Sequence, residues 1–254
     1  MIISINKQNK PKREKEYNNN FDVVVCCGPR DLSIISETIK HIKINVIGYR
    51  RIYIIPSEPI FKIKDCYMVN EKIFPFTIKD VAGSNGWYFQ QLLKLYSPYC
   101  IPNILERYLV SDADTIITKP TTYVDEEKLL FNIGTEYHKP YFEHMKKLHP
   151  SLVKVNQYSG ITHQMIFDKR FINALFELVE DLHKKPFWKV FLETISPENI
   201  KCPGASEYEI FFNFMHIYFP NDFTIRPLKY NNDAKSIYGD HSQYDYISCH
   251  HYKR

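Results

Sequence analysis

The apolar positions along this chain change period several times, and the changes outline an alternation of strands and helices. FDVVVCCG (21–28) is an unbroken apolar and β-branched run, the pattern of a strand buried on both faces. LSIISETIKHI (32–42) follows with apolar residues three and four apart and predicts a helix. RRIYIIP (50–56) reads as a second strand, and DCYMVNE (65–71) as a shorter third. Strand, helix, strand at this spacing is a βαβ unit and implies a parallel sheet. Asn85 and Gly86 mark a loop before an amphipathic helix from Trp87 to Tyr96, and ERYLVSDADTIITKP (106–120) reads as a strand, a turn and a short strand stopped by Pro120.

The pattern from Tyr123 to Pro150 is mixed, rich in Lys, His and Tyr. FINALFELVEDLHKK (171–185) is strongly helical in spacing. SEYEIFFNFMHIYF (206–219) is another helix, with Ser206 as N-cap and Glu209 at capping-box distance. FTIRPLKY and YDYISCHHY predict late strands. There is no internal repeat, and no linker divides the chain after residue 20, so residues 21–254 read as one α/β domain. Residues 1–20, dominated by NKQNKPKREKEYNNN, carry no apolar periodicity and predict a flexible polar arm.

Composition narrows the function classes. A net charge of +4 over 254 residues suits an anionic small ligand and does not suggest dedicated nucleic-acid binding. Six scattered cysteines without a C-x-x-C pair fit reduced thiols and a cytoplasmic protein, host cytoplasm if the source is viral. No apolar run approaches the ~18 residues of a transmembrane helix.

The chemistry concentrates at YLVSDADTII (108–117), where Asp112 and Asp114 stand one residue apart at the tip of a strand. Side chains two apart on a strand share a face, so both carboxylates point at one site. Two reactions use that arrangement. Asp112 and Asp114 can hold a divalent cation, Mn²⁺ or Mg²⁺, whose shell substrate phosphates complete. Alternatively DADTI is the D-x-D-x-T pattern of haloacid-dehalogenase-type phosphatases, with Asp112 as nucleophile and GDHSQYD (239–245) as a late acidic motif. In those enzymes the motif sits on the domain's first strand, whereas here a βαβ region precedes it. A third reading is a non-catalytic module that binds nucleotide or glycan.

An ordered series of segments bears on the choice: the first strand into CGPRD, GWYFQQLLKL, SDADT, YSGITHQMIF, PGASEYEIFFNF, and a terminal CHHY. In this order the chain resembles the GT-A fold glycosyltransferases, and among them a small family found in bacteria and large DNA viruses. The stretch from Asn132 to Asn156 matches no pattern of that family. The resemblance implies a GT-A, Rossmann-like, mixed but mostly parallel sheet flanked by helices. It also implies metal-dependent transfer of a sugar from a nucleotide sugar, UDP by default, to a hydroxyl acceptor on a glycan or related molecule. It places Cys27, Gly28 and Asp31 at the nucleoside, although Asp31 also suits a helix N-cap. Trp87, Gln91 and Lys94 lie on the helix beside the donor; a core Trp87 and a solvated Lys94 is the plainer reading. Ser159 and Gly160 face the donor sugar, and His163 stands beside the acceptor unless it is an ordinary half-buried histidine. A late histidine joins Asp112 and Asp114 on the metal, and His250 fits better than His251, which an extended strand would point the other way. Glu207 is expected as the general base of an inverting reaction, with Glu209 on the acceptor side; both also suit the helix N-terminus electrostatically.

Overall fold

The computed structural model describes residues 21–59 and 62–252; the arm expected over residues 1–20 lies outside them. The elements run in the order β1 (Phe21–Cys27), α1 (Ile35–Asn45), β2 (Val46–Ile47), β3 (Tyr49–Pro56), β4 (Tyr67–Met68), α2 (Gly86–Cys100), β5 (Arg107–Asp112), β6 (Thr115–Ile117), β7 (Thr121–Thr122), β8 (Val124–Asp125) and β9 (Lys128–Phe131). Then come α3 (Lys139–Leu148), β10 (Gln164–Asp168), α4 (Lys169–His183), α5 (Phe187–Glu193), α6 (Glu207–Tyr218), β11 (Phe223–Ile225), β12 (Tyr230–Asn231) and β13 (Tyr246–Ser248).

The central sheet has the strand order β10-β5-β1-β3-β4. β1 pairs in parallel with both β3 and β5, β3 in parallel with β4, and β10 antiparallel with β5. This is the expected mixed, mostly parallel α/β sheet flanked by helices, in one domain. β1 sits at its centre with every residue buried, as its continuous apolar run requires. The one charge on β1, Asp22, is fully satisfied. Its Oδ1 accepts from Arg50 Nε and the Arg51 amide, and its Oδ2 from Arg50 Nη2 and the Leu105 amide. That knot ties β1, β3 and the entry to β5 together at their amino ends and leaves the carboxyl ends for a ligand.

Three smaller pairings frame the main sheet. β12, β13 and β6 form one, β11, β9 and β8 another, and β2 pairs with β7. Most apolar residues share one core, and Ile34, Ile116, Ile237, Ile247 and Cys249 form a satellite beneath the last strand. Several boundaries differ from the expectation. The predicted third strand shrinks to the two residues of β4, and α2 runs on past Pro98 to Cys100. α3 was not expected; its buried Tyr141, Phe142, Met145 and Leu148 do carry a helical spacing, but between lysines and histidines. β13 stops at Ser248, so His250 and His251 lie beyond the strand. None of the helices among the described residues is long and apolar enough to cross a membrane.

Candidate functional site

The carboxyl ends of β1 and β3 open onto a cavity of about 630 Å³. Cys27, Gly28 and Asp31 line it from the loop after β1, Ser57 from the end of β3, Trp87 from the start of α2, and His251 from the chain's last turn. This is where open α/β sheets bind ligands, beyond the ends of parallel strands. Asp31 is not a cap for α1, which begins only at Ile35 and has no side-chain bond at its N-cap. Trp87 stands half-exposed on the wall, anchored by an indole N–H that donates to the Ala205 carbonyl at 3.0 Å. Burial, and then Asp31, push the Cys27 thiol up to about 12, which makes it a poor nucleophile. Across the mouth, Arg30 Nη1 donates to His251 Nε2 at 2.6 Å.

Behind the cavity wall lies a chain of charges of alternating sign. Lys94, on α2, is buried; its ammonium donates to Asp112 Oδ1 and to Glu207 Oε1, each at 2.6 Å. Tyr208 adds a hydroxyl bond to Asp112 Oδ1 at 3.0 Å, and its ring lies 4.6 Å from the Lys94 ammonium. The other Asp112 oxygen accepts from His163 Nδ1 at 3.2 Å. On the far side of that ring, His163 Nε2 lies 3.6 Å from Glu136 Oε1. Burial alone would discharge Lys94, but Asp112 and Glu207 outweigh it and keep the ammonium protonated well above its ordinary range. Burial likewise opposes the Asp112 carboxylate, and Lys94 followed by His163 more than compensates, holding it below the usual range. For His163, burial is overcome by Asp112 and Glu136, and its pKa rises to about 9.

Asp114 stands apart from this chain. β5 ends at Asp112 and β6 begins at Thr115, so the D-x-D pair spans a turn and strand alternation does not align the two side chains. Asp114 Oδ2 instead meets His250 Nδ1 at 3.0 Å, and the His250 ring packs 4.8 Å from that of His163. The main chain fixes both partners: the Cys249 amide donates to the Asp114 carbonyl, and the Asp112 amide to the His163 carbonyl, each at 2.9 Å. His163 makes this bond in a left-handed conformation (φ 57°), uncommon for a residue with a side chain.

Several expected site residues have other work. Gln91 is buried and braces α6: its Nε2 donates to the Ala205 carbonyl and its Oε1 accepts from the Glu207 amide. Ser159 is fully buried with its hydroxyl on Glu209 Oε1, and Gly160 lies against α6, so both are packed inside rather than open to a ligand. Glu209 is equally buried, bonded to Ser159 and Asn213 rather than closing a capping box. Ser206 does cap α6, accepting from the Glu209 amide at 3.3 Å. Lys94 is not solvated. Glu207 as a base open to an acceptor does not fit this geometry, because its side chain is 3% exposed and one oxygen is bound to Lys94. His251 faces the cavity and His250 faces Asp114, a split made by the turn after β13. Arg30 and Tyr208, inside the CGPRD and PGASEYEIFFNF segments but not singled out there, and Glu136, in the stretch without a pattern, complete the arrangement.

The phosphatase arrangement is absent from this geometry. The D-x-D motif closes β5, not the first strand. Asp240 bonds the Ser242 amide in its own loop, and Asp245 pairs with Lys119 and the Lys229 amide. As for a cation, the described residues contain no group of three or more His, Cys, Asp and Glu side chains arranged to hold one. The Asp114–His250 pair fits a partial set, however. A carboxylate oxygen and an imidazole nitrogen 3.0 Å apart have the spacing of a hydrogen bond and also of neighbouring ligands on an ion bound at about 2.1 Å. Asp112, with both oxygens committed, is a poorer ligand than the motif suggests.

Among solved structures, the chain is similar to an active-site mutant of LgtC at 10% identity and a TM-score of 0.49, covering 90% of this chain and 86% of that one. It is also similar to the galactosyltransferase LgtC in complex with donor and acceptor sugar analogues, at 10% identity and a TM-score of 0.47 over the same shares. A third similarity is to mouse xyloside xylosyltransferase 1 in its apo form, at 11% identity and a TM-score of 0.44, covering 84% and 87%. No curated protein matches. A family model described as a family of unknown function, DUF6492, matches residues 15–241, and the chain belongs to that family.

Proposed function

We propose that this protein is a GT-A type glycosyltransferase that moves a sugar from a nucleotide sugar, UDP-linked by default, to the hydroxyl of a glycan or related acceptor. The observation that carries the reading is one juxtaposition. A nucleotide-sized cavity at the carboxyl ends of β1 and β3 is lined by Cys26, the register partner of Asp112, and by His251, which follows the His250 bonded to Asp114. The nucleoside lies against Cys27, Gly28, Asp31 and Trp87. The diphosphate is directed toward Asp114 and His250, which would hold a divalent cation, and the mixed oxygen and nitrogen donors suit Mn²⁺ better than Mg²⁺. When bound, that cation supplies positive charge to the departing diphosphate. Arg30, at the cavity mouth, adds a cation with bidentate reach for phosphate. Lys94 keeps Asp112 ionised and fixed, and Asp112 in turn orients His163.

Calorimetry of Mn²⁺ and UDP tests this. The wild type should bind UDP in a metal-dependent way, and Asp114→Ala and His250→Ala should each weaken that binding at least tenfold while the fold survives. A protein that binds no nucleotide with or without Mn²⁺, yet hydrolyses an aryl phosphate, would instead be the phosphatase.

A further inference from the structure

Sugar transfer with inversion needs a group that takes the proton of the attacking hydroxyl. The carboxylates of the charge chain differ sharply in their freedom to do so. Glu207 is sealed behind Lys94, and Asp112 has every oxygen engaged. Asp114 is 14% exposed and faces His250, and Glu209 is buried on Ser159 and Asn213. Glu136 is the exception: its side chain is 43% exposed, and its hydrogen-bond partner is the Asn232 amide, at 3.0 Å to Oε1.

Opposite Glu136 is a ring nitrogen without a full hydrogen bond. His163 Nε2 is buried and makes no hydrogen bond; its neighbour is Glu136 Oε1, an ion-pair contact at 3.6 Å. A buried ring N–H without a full hydrogen bond is unfavourable. The left-handed backbone at His163 adds strain, and such strain persists where the surroundings hold a residue for a purpose. The oxygen of the same Asn232 amide is also buried without a partner. Beside them Tyr252, 68% exposed, stacks on the His250 ring at an interplanar angle of 15° and lies within electrostatic reach of Glu136 and Asp114. An aromatic face next to unpaired polar groups suits a carbohydrate, which offers both hydroxyls and apolar ring faces.

We propose that Glu136 is the general base and that it and His163 Nε2 together hold the acceptor hydroxyl. This rests on the transferase reading. His163 Nε2–H donates to the hydroxyl oxygen and Glu136 accepts its proton. The oxygen's electron pair forms the bond to the anomeric carbon, and the carbon–oxygen bond to the diphosphate breaks with its pair leaving on the diphosphate. The product has the anomeric configuration opposite to the donor's.

The test compares the wild type with Glu136→Gln and Glu136→Asp, using Mn²⁺, UDP-glucose, UDP-galactose, UDP-N-acetylglucosamine and UDP-xylose as donors and methyl glycosides as acceptors. Gln keeps the shape of an exposed side chain, so folding and Mn²⁺-dependent UDP binding should be unchanged. Transfer should fall by about 10²-fold or more in kcat, the scale of a lost general base, with the donor KM little altered, and Asp should restore part of the rate. Glu136→Gln with transfer near wild type and UDP binding intact would overturn the assignment, as would a product that keeps the donor's configuration. Failure of the wild type to bind UDP, or to turn over any donor, would remove the transferase reading itself, a different result from these.

Discussion

At the scale of single residues, the buried ion cluster decides most outcomes. Lys94 neutralises Asp112 and Glu207 at 2.6 Å each. Lys94→Met removes that cation and leaves two carboxylates facing each other in the interior. Breaking a buried pair in this way costs about 3–5 kcal/mol, which urea unfolding should register. The double variant Lys94→Met/Glu207→Gln should recover part of the loss, since it removes one of the stranded charges. A second expectation concerns pH. His163 has a folded pKa of about 9 against an ordinary 6.5. A raised pKa means that the protonated ring favours the folded state, so the stabilisation is complete below about pH 6.5 and disappears as pH rises through about 9. For a shift of this size it is on the order of 3 kcal/mol. Unfolding of the metal-free protein between pH 6 and 10 should show that decline, and His163→Gln should flatten it; an unchanged slope in the variant would place the titration elsewhere. The aspartate pair was legible in sequence because D-x-D is a local pattern. The Lys94 bridge was not, because its partners are 18 and 113 residues away. A lysine on a helix reads as solvated until the fold closes over it.

At the scale of elements, the segment before β10 and the start of α6 form one unit. The site's inner wall is these two pressed together, with Gly160 at the contact. A Cβ on Gly160 would lie 2.5 Å from Phe212 Cβ and 2.7 Å from the Tyr208 carbonyl oxygen, closer than packed atoms come. Gly160→Ala should therefore cost about 1–3 kcal/mol by overpacking. It should also weaken donor turnover, because Glu207 and Tyr208, which hold Lys94 and Asp112, move with α6. Circular dichroism together with UDP-release kinetics separates a shifted helix from an unfolded protein. The sequence outlined α6 and α4 well, since both carry a strong helical period and a polar cap. It outlined β1 equally well, since a run of seven buried residues is long enough to recognise. Two-residue pairings such as β2 with β7 and β12 with β13 depend on distant partners and leave no period to read. Glu136 lay in the stretch without a family pattern, and only the fold brings it to His163.

At the scale of the whole molecule, the site joins parts of the chain that are far apart in sequence. The cavity begins with the loop after β1, and a contact between Arg30 and His251 crosses its mouth. The second aspartate of the motif finds its histidine 136 residues later. The central sheet, by contrast, is complete by β10. A chain interrupted after Cys249 keeps β13 and both apolar clusters but lacks His250, His251 and Tyr252. It should fold with near-native circular dichroism yet show no Mn²⁺-dependent UDP binding by calorimetry; UDP binding at wild-type strength would mean that the last residues are not part of the site. The same geometry sets an order of events on the ribosome. The sheet can assemble while the chain is still growing, but the Asp114–His250 pair and the Arg30–His251 contact form only once residues beyond Ser248 have emerged. A copy that ends just short of those residues has its sheet and its core but not its site.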